Sequence, residues 1–286
     1  MRMPAWGSLL FVPADDEARC AKACRAGADA VILDLEDGVA PAAKAAARAR
    51  VAPAARALAE AGVAAVVRIN APWRAALADL EAAVGADVAA VMVPKAEDGA
   101  RLAVLSDMIG ELEAERGLEA GSTSLVALVE TPAALARLPD IAAAPRVVGL
   151  ALGTEDFCLG LGVAPTPAAL DLPSRQIALA AAARGQMALA VPLSITQFRD
   201  IEAYRAAALA GAATGVNGAI CIHPAQAAAA NACFAPAEAE LADARRVLDA
   251  WERAQAGGLA VTALDGRMID LPVAERARRL VARAGG

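Results

Sequence analysis

Short runs rich in valine, isoleucine and leucine recur at residues 8–13, 30–37, 65–70, 90–95, 125–130, 147–153, 188–194 and 218–224, and each is followed by a longer alanine-rich stretch. Strands buried on both faces read as continuous aliphatic runs, and an intervening helix lets consecutive strands lie parallel. Eight such units predict an α/β fold of the (β/α)8 TIM-barrel type, which takes roughly 250 residues against the 286 present. The competing open sheet needs a glycine-rich phosphate turn after its first strand. Val12-Pro13-Ala14-Asp15-Asp16 offers no glycine there.

The helical stretches carry ordinary punctuation: Asp15 and Asp16 after the first run, Pro41 opening the second helix, Gly62 closing it, and a helix over 173–185 before the seventh run. Beyond the eighth run the pattern predicts a helix over 236–256, then two extended runs around Asp265-Gly266, a dipeptide suited to a hairpin turn. A last helix opens at Pro272 and ends near Gly285. The expected organisation is a barrel over 1–225 and a C-terminal extension over 226–286. That extension is too short to stand alone, so it is expected to pack on its own barrel or reach a neighbouring subunit.

Hydrophobic residues make up 58% of the chain, much of it alanine, which favours helix and adds little transfer free energy. No apolar run reaches the roughly 18 residues of a membrane span, and residues 1–7 lack the features of a secretory signal, so the chain is read as cytoplasmic with no membrane partner. A net charge of −6, with basic residues interspersed among acidic ones, argues against a nucleic-acid footprint. The five cysteines are scattered, and Cys20/Cys24 lacks the second pair of a zinc site, so they read as buried free thiols.

Barrel enzymes work at the carboxyl ends of their strands, and polar residues collect there: Asp34-Leu35-Glu36-Asp37, Arg68-Ile69-Asn70, Lys95, Glu130-Thr131, Gly153-Thr154-Glu155-Asp156 and His223. Glu130 and Asp156 end adjacent strands. Two carboxylates there, with few nitrogen or sulfur ligands nearby, suit Mg2+ or Mn2+, unless each is paired with a basic side chain. The planar fork of Arg68 suits a substrate carboxylate or thioester oxygen, or serves structure alone. Lys95 either forms a Schiff base with a carbonyl or pairs with an acid such as Glu97. His223, before Pro224, contacts substrate or is a hydrogen-bonded structural histidine. Substrate discrimination is expected in the apolar, proline-bearing loop over 158–171.

Ser8-Leu9-Leu10-Phe11-Val12-Pro13, the 27–37 segment ending Asp34-Leu35-Glu36-Asp37, Val67-Arg68-Ile69-Asn70, Val93-Pro94-Lys95, Gly153-Thr154-Glu155-Asp156-Phe157, Ile222-His223-Pro224 and Met268-Ile269-Asp270-Leu271-Pro272 stand in this order. Together they resemble the citrate lyase beta subunit-like family of the HpcH/HpaI aldolase superfamily. The resemblance implies a Mg2+-dependent carbon–carbon lyase that cleaves or forms malyl-, citramalyl- or citryl-coenzyme A type thioesters, giving an acyl-CoA and an oxo acid. It implies that Glu130 and Asp156 hold the metal, that Arg68 binds substrate with Glu155 and His223 nearby, and that Glu36 and Asp37 orient waters or Arg68. It implies Phe11 and Lys22 at the mouth of the barrel for coenzyme A. It also implies that Asp270 closes over an adjacent subunit and moves the proton, in a homotrimer or hexamer; the alternative for Asp270 is a turn aspartate interacting with Arg267.

The chain departs from the family pattern at Gly7, Asp16, Gly218-Ala219 and Val191-Pro192-Leu193-Ser194, each removing positive charge or a polar contact from the thioester side. Two other readings share the barrel: a class II pyruvate aldolase, which typically carries a histidine base where this chain has Glu36-Asp37, and a citrate lyase beta subunit that acts on an acyl carrier protein thioester.

Overall fold

The computed structural model describes residues 6–284. Eight units run β1 (Ser8–Pro13), α1 (Glu17–Ala23), β2 (Ala30–Asp34), α2 (Lys44–Glu60), β3 (Ala64–Arg68), α3 (Trp73–Ala83), β4 (Val88–Val93), α4 (Gly99–Glu115), β5 (Ser124–Val129), α5 (Pro132–Ala136), α6 (Leu138–Ala143), β6 (Val147–Leu152), α7 (Thr154–Leu161), α8 (Pro167–Arg184), β7 (Met187–Leu189), α9 (Ile201–Ala212), β8 (Ala219–Cys221) and α10 (Pro224–Phe234). Strands pair in parallel in the order β7-β6-β5-β4-β3-β2-β1-β8. A parallel bridge between Leu189 and Gly218 joins β7 to β8, and Asn217 reinforces it by accepting Ala188 N–H at 2.9 Å on its side chain and donating its own N–H to Ala188 at 3.1 Å. The result is the (β/α)8 barrel that the sequence predicts.

Two apolar layers follow from strand alternation. Leu9, Ile32, Val66, Met92, Val126, Leu128 and Leu189 fill the interior with small residues such as Ala30 and Ala90, while Leu10, Val31, Leu33, Val67, Val91 and Leu125 pack outward against the helices. Both faces of the central strands are therefore dry, which is why their sequences read as unbroken aliphatic runs.

Several expectations need correction. The seventh and eighth strands are only three residues each rather than 188–194 and 218–224; Pro192, with no N–H to give a ladder, and Pro224, which opens α10, both lie beyond the observed ends. The helix before β7 begins at Pro167 behind the Thr166 cap, and Pro173 lies inside it. Segment 158–171 is accordingly mostly helix, split between α7 and α8 around a short link, rather than a loop. The helix α10 was not foreseen; it packs on β1, β8 and α9, in the first compact unit, which runs to Phe234.

The second compact unit, Ala235–Gly286, holds α11 (Glu238–Ala256), β9 (Thr262–Leu264), β10 (Arg267–Ile269) and α12 (Leu271–Ala284). Asp265 and Gly266 both take positive φ, 51° and 75°, in the turn of the antiparallel hairpin, as the Asp-Gly pair predicts. Val247, Trp251, Ile269, Ala274 and Ala277 form its small core. Among the described residues no helix is long and apolar enough to cross a membrane.

Candidate active site

The two-residue period that sends Ala30 and Ile32, Ala64 and Val66, and Val126 and Leu128 into the barrel continues to Asp34, Arg68 and Glu130. These three therefore share the interior face at the carboxyl ends of β2, β3 and β5. Asp34 and Arg68 are register partners. Arg68 donates from Nε and Nη2 to the two Asp34 oxygens, both at 2.7 Å, and its Nη1 lies 3.2 Å from Glu36. The guanidinium sits 4.7 Å from the centre of the Phe11 ring, which supports it from β1. Asp34 also accepts the Glu36 and Gly38 N–H groups at 2.9 and 2.8 Å, so it shapes the turn that carries Glu36.

Burial alone would lower the Arg68 pKa, but hydrogen bonding and charge from Asp34, with Glu36 and Glu130 adding, hold it above its ordinary value. Glu36 is pushed up to about 7 by burial, which the Arg68 charge only partly offsets while Asp37, Glu130 and Asp34 add repulsion. The end of the barrel thus concentrates carboxylates around a single guanidinium.

Glu130 follows β5 and is 3% exposed; its Oε2 accepts the Lys95 backbone N–H at 2.8 Å. Lys95 takes a left-handed φ of 48° to present that N–H, backbone strain of the sort that persists at functional sites. Gly153 opens α7 beside it, and a Cβ there would stand 2.5 Å from Glu130 Cγ, so only glycine fits. Asp156 lies in the first turn of α7. Burial, then repulsion from Asp156, raises Glu130 to about 7 against the Lys95 N–H and the Arg68 charge. A cation bound between two carboxylates relieves such repulsion. Among the described residues no group of three or more His, Cys, Asp and Glu is placed to hold a metal. The fitting ion is one content with two carboxylates and with substrate and water oxygens for the rest, which is the habit of Mg2+.

A family model described as HpcH/HpaI aldolase/citrate lyase matches residues 7–224. The chain belongs to the HpcH/HpaI aldolase/citrate lyase family. It is 39% identical to a citrate lyase subunit beta-like protein of Mycobacterium tuberculosis, over 99% of this chain and 96% of that protein. It is 32% identical to a (3S)-malyl-CoA thioesterase of Cereibacter sphaeroides, over 97% and 94% of the two chains. The crystal structure of the protein CitE from Mycobacterium tuberculosis in complex with magnesium, acetoacetate and coenzyme A superposes with a TM-score of 0.73 at 35% identity, covering both chains completely.

Within this family member, the remaining expected residues divide. Glu155 is exposed and tied to the segment after β7, accepting Ser194 Oγ at 2.6 Å. Asp37 is exposed beside the buried Glu36. His223 is exposed, stacks on Phe198 with ring centres 5.2 Å apart, and accepts the Ala225 N–H on Nδ1. Lys22 lies in the exposed last turn of α1, and no contact brings it to the Arg68 cluster; Phe11, by contrast, is part of that cluster. Lys95 makes no ion pair with Glu97, whose Oε1 accepts from Thr131 instead, and Lys95 reaches the site through its backbone. Asp270 caps α12 by accepting the Val273 N–H at 3.1 Å, while Arg267 pairs with Asp243 rather than with Asp270.

Asp34 stands among the polar strand-end residues of the sequence, which assigns it no role of its own; the structure makes it the partner of Arg68, two positions after Ile32 on the interior face.

Proposed function

We propose that the chain is a Mg2+-dependent carbon–carbon lyase that cleaves, or forms, a 3-hydroxy-3-carboxyl-type acyl-CoA thioester of the malyl, citramalyl or citryl kind. The observation that carries this reading is the guanidinium of Arg68 held at the same barrel end as the carboxylates of Glu130 and Asp156. The relative named a malyl-CoA thioesterase and the solved CitE complex with magnesium, acetoacetate and coenzyme A support the substrate class.

Arg68 has further N–H groups beyond those given to Asp34 and Glu36, and these bind the substrate's carboxylate or thioester oxygen. Glu130 and Asp156 would hold the metal. Bound Mg2+ supplies Lewis-acid stabilisation of the negative charge that develops on the oxo acid's oxygens. Glu36 stays against Arg68 and fixes its direction. Asp270, with Oδ1 engaged in capping α12, offers its second oxygen to move the proton at the thioester enolate carbon. It does so on a neighbouring subunit of a homotrimer or hexamer. Phe11 and Lys22 belong to the coenzyme A side.

A coupled assay of oxo-acid release from malyl- and citramalyl-CoA tests the reading, with wild type beside Glu130→Ala and Asp270→Ala. Metal-dependent turnover lost in both variants supports it. A second reading, a beta subunit acting on an acyl carrier protein thioester, is favoured by the similarity to the citrate lyase subunit beta-like protein; turnover confined to carrier-bound thioesters would select it.

A further inference from the structure

Lys44 begins α2, where a cation opposes the helix dipole. No acid in the first turn offsets it. Its ammonium instead leaves the helix and donates to three oxygens: Leu35 O at 2.8 Å, Glu36 O at 2.7 Å and Asn70 Oδ1 at 2.7 Å. The first two belong to the segment just past β2, which carries Glu36, and the third to the residue two positions beyond Arg68 on β3. Asn70 returns the connection by donating Nδ2 to Leu35 O at 2.8 Å and to Asp79 Oδ2 at 2.6 Å, and its own N–H reaches the same Asp79 oxygen at 2.7 Å. Arg48, one helical turn past Lys44, closes the network on Asp79 Oδ1 at 2.6 Å. Three convergent acceptors around one compact ammonium saturate its donors.

The ends of β2 and β3 are thus joined twice. Inside the barrel Arg68 clamps Asp34, and on the α2 side Lys44 clamps the backbone of residues 35–36 to Asn70. Loss of the second clamp strands Asn70 Oδ1, leaves Leu35 O with only Asn70 Nδ2 and Glu36 O with only the Val39 N–H, and loosens the turn that aims Glu36 at Arg68. We propose that Lys44 is a positioning residue for the reaction, acting through Asn70 and the 35–36 backbone to hold Arg68 and Glu36 in the register that the substrate meets. It touches no reacting atom. Lys44 donates to neither Glu130, just past β5, nor Asp156 on α7.

The kinetic part of this inference rests on the lyase reading, and a second readout does not. Lys44→Met keeps the stem and removes the donors; Lys44→Arg keeps charge and donors. For Lys44→Met the expected result is a rise in KM with a fall in kcat, together about 10- to 100-fold in kcat/KM, with Lys44→Arg intermediate. A lysine that only stabilised the fold would lower the melting temperature and leave both constants, per folded molecule, at wild-type values, which would overturn the proposal. If the wild type itself turns over no thioester, the lyase reading fails and the Arg68 Nε–H NMR signal decides this one. In wild type it is protected from exchange by Asp34; faster exchange or a shifted signal in Lys44→Met upholds the positioning role, and an unchanged signal overturns it.

Discussion

Asp34 and Arg68 stand opposite one another on the last shared rung of β2 and β3, and Arg68 closes a two-bond fork on Asp34 with both N···O distances at 2.7 Å. Both side chains are largely withdrawn from water, with 12% of Arg68 and 5% of Asp34 exposed. The pair fixes one edge of the guanidinium and leaves the rest of the fork to the barrel mouth.

Asp34→Ala removes one member of this buried pair and strands the other. The expected loss is about 3–5 kcal/mol in denaturant unfolding, larger than for an exposed pair. The Glu36 and Gly38 N–H groups lose their acceptor in the same change. An unfolding free energy within error of wild type would show that the pair does not carry the end of the sheet.

Gly153→Ala tests the geometry of the cation site without touching a charge. The added methyl meets Glu130 Cγ at 2.5 Å and must push the carboxylate aside or shift the start of α7. Mg2+ affinity measured by calorimetry is expected to fall about 10- to 100-fold while the circular dichroism spectrum is retained. Unaltered affinity would mean that Glu130 is not a ligand.

The metal-free protein has a definite pH signature. Glu130 and Glu36 are both raised on folding from 4.5 to about 7, chiefly by burial. A carboxyl raised in this way favours the folded state at pH below its unfolded value, and that contribution is lost as pH climbs through about 7. Mg2+ needs the ionised form of Glu130, so its affinity is expected to rise with pH up to about 7 and then level. Thermal melts should therefore show a larger increase in Tm on adding Mg2+ at pH 8 than at pH 5.5. An increase independent of pH would separate Glu130 from the metal.

The barrel was legible because buried parallel strands leave an unmistakable aliphatic rhythm, and Arg68, Glu130 and Asp156 stood out as polar residues where that rhythm stops. Ladder lengths were less legible: β7 and β8 stop at Leu189 and Cys221, before the aliphatic runs do, and tertiary packing carries α8 through Pro173. Asp34 stands at a strand end in the sequence but without a role, because an acid there has no visible partner until β3 is set beside it. Lys44 had no local signal at all. Its three acceptors come from two segments, the nearer of them eight and nine residues away in sequence and the other twenty-six. Asp270 was placed by resemblance, and what the fold adds is its position capping α12.

The most direct test of the central claim is which bond of a malyl- or citramalyl-CoA substrate breaks. Products formed with Mg2+ present should be separated and quantified by mass spectrometry, with an Arg68→Met variant as control. The account predicts acyl-CoA and oxo acid in equal amounts, dependent on Mg2+ and lost in the variant. Free coenzyme A with the intact hydroxy acid, formed without any oxo acid, would mean that the thioester bond is cut instead and would contradict it.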